Sequence, residues 1–229
     1  SIQGGQSVSS VVTDKGQYPA DLVVLSIGVR PATEFLRDTG IQMAPNGALI
    51  VDREMRTSIA DIWAAGDCSL VYHKGLKENA FLALGTVANK CGRIAGENIM
   101  GKHIKFTGAL GSAAIKVCDL EMGRTGLGEA EAQRQAIDYR TVIVEAMDHP
   151  AYYPDPTPIT IKLIYEAGTR RLLGAQTAGI KGAVMRVDVF AVAIHNNMTT
   201  DELGMTDLVY APPFAGVWDA VHIARSAAQ

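Results

Sequence analysis

Residues 57–68 have the sequence TSIADIWAAGDC, and this stretch decides how the rest of the chain is interpreted. Its mostly apolar part, from Ile59 to Ala65, is too short for a helix and predicts a buried strand that ends at Gly66. Because glycine has no Cβ, the backbone there can come close to a ligand. Asp67 then lies at the carboxyl end of the strand, where open α/β sheets bind ligands, and its carboxylate can accept two hydroxyl hydrogen bonds from a sugar or ribityl chain. A strand followed by an ordinary Asx-capped turn is the alternative that these residues leave open.

The composition is that of a globular protein without an obvious charged or lipid partner. The 229 residues are enough for one large or two ordinary domains, and 48% of them are hydrophobic. A net charge of −3 gives no broad basic field, so we expect no nucleic-acid partner. No apolar run approaches the length of a membrane span, of about 18 residues, and the first residues do not have the pattern of a signal peptide.

The chain has three cysteines, Cys68, Cys91 and Cys118, and their number and spacing limit which disulfide and metal sites it can form. An odd, low count without C-x-x-C spacing argues against a disulfide framework and against a zinc site, so we expect no metal. Each cysteine is interpreted as a small buried residue and not as a nucleophile. A reducing cytoplasm is the simplest location for such a chain.

The first residues resemble part of a sheet. Val8 to Thr13 and Ala20 to Ile27 are predicted strands on either side of a turn, and the second is apolar enough to be buried on both faces. Two strands cannot form a core of their own, so residues 1–27 are interpreted as the tail of a domain whose first part is missing. An edge hairpin of the following domain is the alternative. After Gly28, Arg30-Pro31 leads the chain out of the sheet.

A helix is predicted within residues 80–100, after a short helix over Thr33 to Thr39 that ends at Gly40 and a short strand at Leu49–Val51. Gly85 and Thr86 are placed in its first turn, with Thr86 as the candidate cap. The free N–H groups of such a helix end can stabilise negative charge, although a purely structural helix fits the segment equally well. Small and apolar residues recur every three or four positions on one face of the helix: 84, 87, 88, 91, 95 and 99.

Beyond a boundary near Gly101–His103, strands come first and helices later, which predicts an α+β layer domain. The predicted strands are 112–117, 121–126, 139–145, 159–165 and 171–178, and the predicted helices are 127–136, 184–196 and 200–203.

The opening stretch resembles the second FAD-binding motif of flavin-dependent pyridine nucleotide-disulfide oxidoreductases, T-x-x-x-x-[IV]-[YFW]-A-x-G-D. Residues 26–31 are similar to the S-I-G-x-x-P segment by which that family passes from its NAD domain back to its FAD domain. Further pieces, which extend the likeness to essentially all of the chain, resemble the coenzyme A-disulfide reductase and NADH oxidase/peroxidase branch: Gly111–Ala113, Thr125–Leu127, Tyr152–Pro154, Leu173–Gln176, Arg186–Val189 and Tyr210–Phe214.

The resemblance implies a fold class and a domain order. We expect an α/β Rossmann-like portion of an FAD domain followed by an α+β dimerisation domain, in which helices cover an antiparallel sheet. Residues 1–27 would end an NAD-binding domain, residues 28–104 would form the carboxyl-terminal part of the FAD-binding domain, and residues 105–229 would form the dimerisation domain of a homodimer.

The resemblance also implies site residues. FAD and NAD(P)H would be the cofactors, with Asp67 at the ribityl chain and Gly85-Thr86 at the flavin ring. Tyr210 would act with Tyr152 or Tyr153 in the active site of the partner subunit. The complete implied cofactor-binding set is Gly28, Gly66, Asp67, Leu84, Gly85 and Thr86, and the implied substrate-facing set is Asn89, Lys90 and Trp218.

Trp218 departs from the pattern of coenzyme A-disulfide reductases, which often carry at this place a lysine suited to a phosphate group, and this puts coenzyme A disulfide in doubt as the substrate. The chain also has no G-x-G-x-x-G loop after a strand and no cysteine in the redox-active setting of the family. We therefore expect the carboxyl-terminal half of a longer enzyme, inactive alone. The complete enzyme would pass electrons from NAD(P)H through FAD and a cysteine to a disulfide, peroxide or oxygen. A non-catalytic dimerisation module and a relative of ferredoxin or rubredoxin reductases are the alternatives.

Overall fold

The computed structural model describes residues 1–228, and the chain divides into two compact units, residues 1–30 and the residues from Pro31 onward. The first unit is an antiparallel sheet in the order β1-β2-β3. The strands are β1 (Ile2–Gly4), β2 (Val8–Thr13) and β3 (Gly16–Pro19). The strand predicted from Val8 is confirmed, but its hairpin partner is β3 and not the apolar run that follows.

The strand predicted over residues 20–27 is wrong. The segment carries no strand, and most of its large apolar side chains are exposed, with Ile27 91% exposed. A strand that is apolar on both faces needs a neighbouring strand and covering layers. Within residues 1–30 the sheet ends at β3, so the segment has nothing to pair with and stays open.

The second unit begins with a 3₁₀ helix, Glu34–Thr39, which ends at Gly40 in the left-handed region, as the sequence predicts. Leu49 does not belong to a strand but makes single bridges to Met43 and Ser69. A hairpin that the sequence did not predict follows, formed by β4 (Leu70–His73) and β5 (Glu78–Phe81), and it leads into α1 (Gly85–Ile99).

The opening stretch, residues 57–68, is not a strand. The backbone N–H and the hydroxyl of Thr57 both donate to the Ile62 carbonyl, at 3.0 and 2.9 Å, and this closes a compact turn. The remaining pairing is one bridge between Arg56 and Trp63. A strand is defined by its ladder, and within the described residues no neighbouring strand lies beside this stretch to provide one.

Helix α1 packs one face against the core of this part of the chain, as its periodicity predicts. Val87, Cys91 and Ala95 are buried there, but Ile99 is exposed. Asn98 takes the buried place instead, because its side chain donates to the carbonyls of Glu54 and Ile104, at 3.0 and 2.8 Å. The buried residues of this core are Ile41, Leu49, Val51, Met55, Ala64, Val71, Val87, Cys91, Ala95, Phe106 and Ala109.

The rest of the second unit is an α+β layer built on a five-stranded antiparallel sheet in the order β6-β7-β10-β9-β8. The predicted strands are confirmed with small shifts at their ends, and the structure adds one helix, α5, that was not predicted. The bounds are β6 (Ala113–Val117), β7 (Leu120–Gly126), α2 (Glu129–Arg134), β8 (Tyr139–Met147), β9 (Pro158–Glu166), β10 (Leu172–Gly179), α3 (Ala183–His195), α4 (Thr200–Gly204) and α5 (Ala220–Ala227).

Apolar side chains that alternate along β9 determine which face of the sheet the helices cover. Ile159, Ile161 and Leu163 on β9 are fully buried in the same core as Phe190 of α3 and Val221 of α5. The opposite face carries Ile115 and Ile143, which are exposed. Among residues 1–228, no helix is long and apolar enough to cross a membrane.

Candidate functional site

Two of the predicted cofactor residues form a turn that lies beside the first turn of α1. Gly66 has φ of 92°, in the left-handed region, and a Cβ built on it would lie 3.9 Å from the Cβ of Ala88. The backbone N–H and the hydroxyl of Ser69 both donate to the Gly66 carbonyl, each at 3.2 Å, and so close the turn. Asp67 is exposed, and its carboxylate has no hydrogen bond or ion pair with any described residue. The carboxylate is therefore available to an incoming donor.

The N-terminus of α1 carries no side-chain cap. The N-cap residue is Leu84, in extended conformation, and its carbonyl accepts from the N–H groups of Val87 and Ala88 at 3.0 and 2.9 Å. The prediction that Thr86 caps the helix is wrong, because Thr86 lies inside the first turn, whereas a cap must precede it. The N–H groups of Gly85 and Thr86 have no partner among the described residues, so this end can hold negative charge.

The predicted substrate residues Asn89 and Lys90 are exposed one turn further along α1. They follow Gly85 and Thr86 by four positions and so project from the same side of the helix. Cys91, the next residue, faces the core. Burial raises the pKa of its thiol to about 11, although Lys90 opposes the shift, and this thiol is therefore protonated near neutral pH.

Two of the three predicted tyrosines meet at the surface of the α+β part. The hydroxyl oxygens of Tyr152 and Tyr210, 58 positions apart in sequence, lie 2.8 Å apart, and the side chains are 71% and 47% exposed. The hydrogen bond with Tyr210 raises the pKa of Tyr152. Tyr153 does not join this pair, since its ring packs edge-on against His149, with centroids 5.6 Å apart. The structure thus separates two adjacent tyrosines that the sequence could not distinguish.

The other predicted residues lie apart from this pair. Trp218 is exposed and packs edge-on against His222, with 5.7 Å between ring centroids. Gly28 belongs to the first compact unit, where it has φ of 85° and open space around its Cα. No group of three or more metal-ligating side chains occurs within residues 1–228.

The prediction that each cysteine is buried is confirmed for Cys91 and wrong for Cys118. Cys118 is exposed in the two-residue turn between β6 and β7, with φ of 53°, because the strands close at Val117 and Leu120. Cys68 is half-buried, and its Sγ lies 3.4 Å from the Ala65 carbonyl. All three are free thiols.

Sequence reasoning missed a buried polar group that connects the segments carrying Tyr152 and Tyr210. Arg186 forms a bidentate ion pair with Asp219, and both side chains are about nine-tenths buried. Asp148 and His149 are also buried, next to the loop that carries Tyr152. A local signal was present at Asp219, which precedes a short apolar segment as an N-cap and accepts from the N–H of Val221 at 2.8 Å.

Comparisons with known proteins match both parts of the chain. Residues 1–103 match the family model of pyridine nucleotide-disulphide oxidoreductases, and residues 112–221 match the dimerisation domain of the same family. The NAD(P)H sulfur oxidoreductase (CoA-dependent) of Pyrococcus furiosus is 40% identical over 96% of this chain and 49% of its own length. The chain therefore spans about half the length of the curated relatives that it matches.

Solved structures that resemble this chain are of the same kind of protein as these sequence relatives. An NAD-dependent persulfide reductase from A. fulgidus superposes with a TM-score of 0.91 and 37% identity, over 96% of this chain and 41% of that protein. A water-forming NADH oxidase from Lactobacillus brevis gives a TM-score of 0.91 and 33% identity, over 99% of this chain and 50% of that protein. With two domain models of one family, these similarities show that the chain belongs to the pyridine nucleotide-disulfide oxidoreductases.

Proposed function

We propose that the whole protein transfers electrons from NAD(P)H, through FAD and a redox-active cysteine outside this chain, to a small-molecule acceptor that is a disulfide, a persulfide, a peroxide or oxygen. The single observation that carries the proposal is the exposed, unpaired carboxylate of Asp67 beside the uncapped end of α1, in a chain of this family. Residues 1–27, 28–104 and 105–229 are assigned to the NAD-binding, FAD-binding and dimerisation domains. The free thiols support a location in the cytoplasm.

The residues present fit FAD. The carboxylate of Asp67 has unused acceptor sites for ribityl hydroxyls, and the free N–H groups of Gly85 and Thr86 suit the negative charge that reduction places on the flavin ring. A Cβ at Gly85 would meet nothing within 4 Å among the protein atoms, so the helix end is open to a ring system. The bound flavin would supply the hydride and electron chemistry, and this chain would bind and orient it.

The tyrosine pair fits the acceptor side of the reaction. Each phenol has one proton, so one hydroxyl donates within the pair and the other remains free to donate outward. A hydroxyl that already accepts one hydrogen bond is a stronger donor. We assign the outward proton to a thiolate or peroxide oxygen in the partner subunit of a homodimer, with Asn89, Lys90 and Trp218 facing the substrate.

Tyr210→Phe tests this assignment because it keeps the ring and removes one hydroxyl. In rapid-mixing experiments on the full-length flavoprotein, we expect slower reaction with the acceptor and normal reduction of the flavin by NAD(P)H. Tyr139→Phe is the matched control, since that hydroxyl pairs with Gln133 elsewhere in the domain. Unchanged rates in both half-reactions would remove the chemical role of Tyr210. A colourless protein that binds no FAD would favour the non-catalytic dimerisation module.

A further inference from the structure

Arg186 joins the two segments that carry the tyrosine pair. Tyr152 lies in the loop between β8 and β9, residues 148–157, and Tyr210 lies in the segment between α4 and α5, residues 205–219. Nη2 of Arg186 donates to the Asp148 carbonyl, at the start of the loop, at 2.8 Å. The same guanidinium grips Asp219, at the end of the other segment, with Nε 3.0 Å from each carboxylate oxygen and Nη2 2.7 Å from one of them.

The guanidinium group of Arg186 is held in one orientation by several hydrogen bonds. Nη1 of Arg186 donates back to the Gly182 carbonyl at 3.1 Å, so the group is also anchored to the start of α3. The side chains of Arg186 and Asp219 are only 11% and 10% exposed, which leaves little solvent to compete for these bonds. A planar fork can hold a carboxylate and two carbonyls at once, whereas an ammonium group is a point charge without fixed donor directions.

Hydrogen bonds within the β8–β9 loop close the loop on itself. The Asp148 N–H donates to the Thr157 carbonyl at 2.9 Å, and the Thr157 N–H donates to the Asp148 carboxylate at 2.7 Å. Inside the loop, Nε2 of the buried His149 donates to the Pro154 carbonyl at 2.9 Å. The position of Tyr152 therefore follows the position of Asp148, which Arg186 holds.

Within residues 1–228, the hydrogen bonds that connect the two segments are the tyrosine–tyrosine bond and the bonds through Arg186. An exposed hydroxyl pair cannot hold two loops in register by itself, because a single hydrogen bond that competes with water adds little to stability. We infer that Arg186, paired with Asp219, is a positioning residue that keeps the hydroxyls of Tyr152 and Tyr210 in contact. The inference rests on the proposed function for its catalytic meaning, but the contact itself can be measured without activity.

The test follows the titration of Tyr152 in the full-length flavoprotein, with the phenolic carbon of tyrosine labelled for NMR and the Tyr152 signal assigned by Tyr152→Phe. The pKa of Tyr152 is raised by its bond to Tyr210 and serves as the reporter of the contact. We expect Arg186→Lys to lower the titration midpoint to that of Tyr210→Phe. Arg225→Lys is the matched control, since Arg225 also binds a carboxylate and a carbonyl, those of Asp201 and Thr200, and we expect it to leave the midpoint unchanged.

A second variant guards against loss of the fold. Asp219→Asn keeps an N-cap for α5 but removes the charge that Arg186 grips, so we expect the same lowered midpoint in a folded protein. An unchanged Tyr152 midpoint in a folded Arg186→Lys or Asp219→Asn protein would overturn the inference. The rate of turnover with the acceptor tests separately whether the contact matters for catalysis. We expect Arg186→Lys to slow it by the same factor as Tyr210→Phe, and the double variant to slow it no further, because both changes break one contact.

The two proposals can fail separately. If Tyr210→Phe leaves acceptor turnover unchanged while Arg186→Lys still lowers the Tyr152 midpoint, the proposed chemistry is wrong and the positioning role stands. If Tyr210→Phe slows the acceptor reaction but Arg186→Lys changes neither turnover nor midpoint, the positioning role is wrong and the proposed chemistry stands.

Discussion

Asp67 shows how much one side chain can contribute when the fold leaves it unpaired. Its neighbour Gly66 turns the chain beside α1, and the carboxylate has no partner among the described residues. We expect Asp67→Ala to weaken FAD retention by about 1.5–3 kcal/mol, the contribution of a hydrogen bond to a charged group. Flavin content after dialysis at limiting FAD measures the effect. Asp38→Ala, at another exposed carboxylate, is the control, and equal flavin loss in both variants would contradict the assignment.

Asp148 makes a second prediction at the level of one residue. Burial works to raise the pKa of this carboxyl, but hydrogen bonds from Thr157 and His149 outweigh it and lower the pKa. A lowered folded pKa stabilises the fold above the ordinary value, about 3.9, and the contribution disappears as the pH falls through the folded value. We therefore expect wild type to lose more stability than Asp148→Asn as the pH falls below about 4.

Urea unfolding midpoints of the two proteins, measured at about pH 5 and about pH 3, check this expectation. Asp155→Asn, in the same loop, is the control, because no described donor binds that carboxylate. An equal acid-induced loss of stability in wild type and Asp148→Asn would mean that Asp148 does not titrate as the structure implies.

The candidate cofactor residues that the sequence predicts are those with a local signal. Gly66, Asp67 and Gly85 follow from short motifs and helix patterns, and the structure brings them together. The contacts of Arg186 with Asp219 and of Asp148 with Thr157 have no such signal, because these partners are 33 and 9 positions apart and only the fold brings them together. Tyr152 and Tyr153 are identical neighbours, so their different surroundings depend on tertiary packing.

At the scale of the element, prediction succeeded where a segment carries its own pattern. Strands β8 and β9 alternate between more buried and more exposed positions over most of their length and were predicted, whereas α5 has only eight residues and was missed. The hairpin of β4 and β5 was also missed, because its turn, Lys74–Lys77, lacks the Asn-Gly or Asp-Gly signal. The strand prediction for residues 57–68 was wrong for another reason. A β-ladder forms only where a neighbouring strand is present, and the sequence of the stretch does not show whether one is.

Helix α3 lies so close to β7 that one glycine is required for its packing. A Cβ on Gly123 would lie 2.5 Å from Cγ2 of Val187, so a side chain there forces the helix away from the sheet. We expect Gly123→Ala to destabilise the fold by about 1–3 kcal/mol, the usual cost of overpacking. Urea unfolding measures the change in the free energy of unfolding.

Gly96 on α1 is the matched control, because a Cβ there meets nothing within 4 Å. We expect Gly96→Ala to stabilise the protein by about 0.5–1 kcal/mol, since alanine is the better helix former. Equal effects at the two positions would show that close packing at Gly123 is not limiting.

At the scale of the whole molecule, the surface around Tyr210 is unusually apolar. Besides Tyr210, the segment between α4 and α5 exposes five large apolar or aromatic side chains, and such a patch is typical of an interaction surface. They are Met205, Val209, Phe214, Val217 and Trp218. The match to a dimerisation domain supports a homodimer as the state that covers them.

We expect the full-length protein to sediment as a dimer at micromolar concentration and Val217→Glu to shift it toward monomer, because a buried charge opposes association. Ile143→Glu, on the uncovered face of the sheet, is the control and should leave the dimer intact. Dissociation by Ile143→Glu alone would place the interface on the sheet face instead.

The family could be predicted from the sequence because the order of motifs is a property of the whole chain. The α+β part and the family were predicted correctly, since many weak matches in one order are specific together. The state of residues 20–27 could not be read, because a buried strand is a relation between segments and the sequence shows only one of them.

The exposed segment that follows β3 has a consequence for handling the protein. Leu22 to Ile27 is an extended run of strand-forming residues with no charge and no proline, which is the composition of a fibril nucleus. Asp21 precedes this run, and Arg30-Pro31 follows it shortly afterwards. Charges and prolines in such flanking positions act as gatekeepers that disfavour the stacking of one copy on the next. Where this segment is uncovered, we expect Asp21, Arg30 and Pro31 to limit aggregation of the chain through residues 22–27.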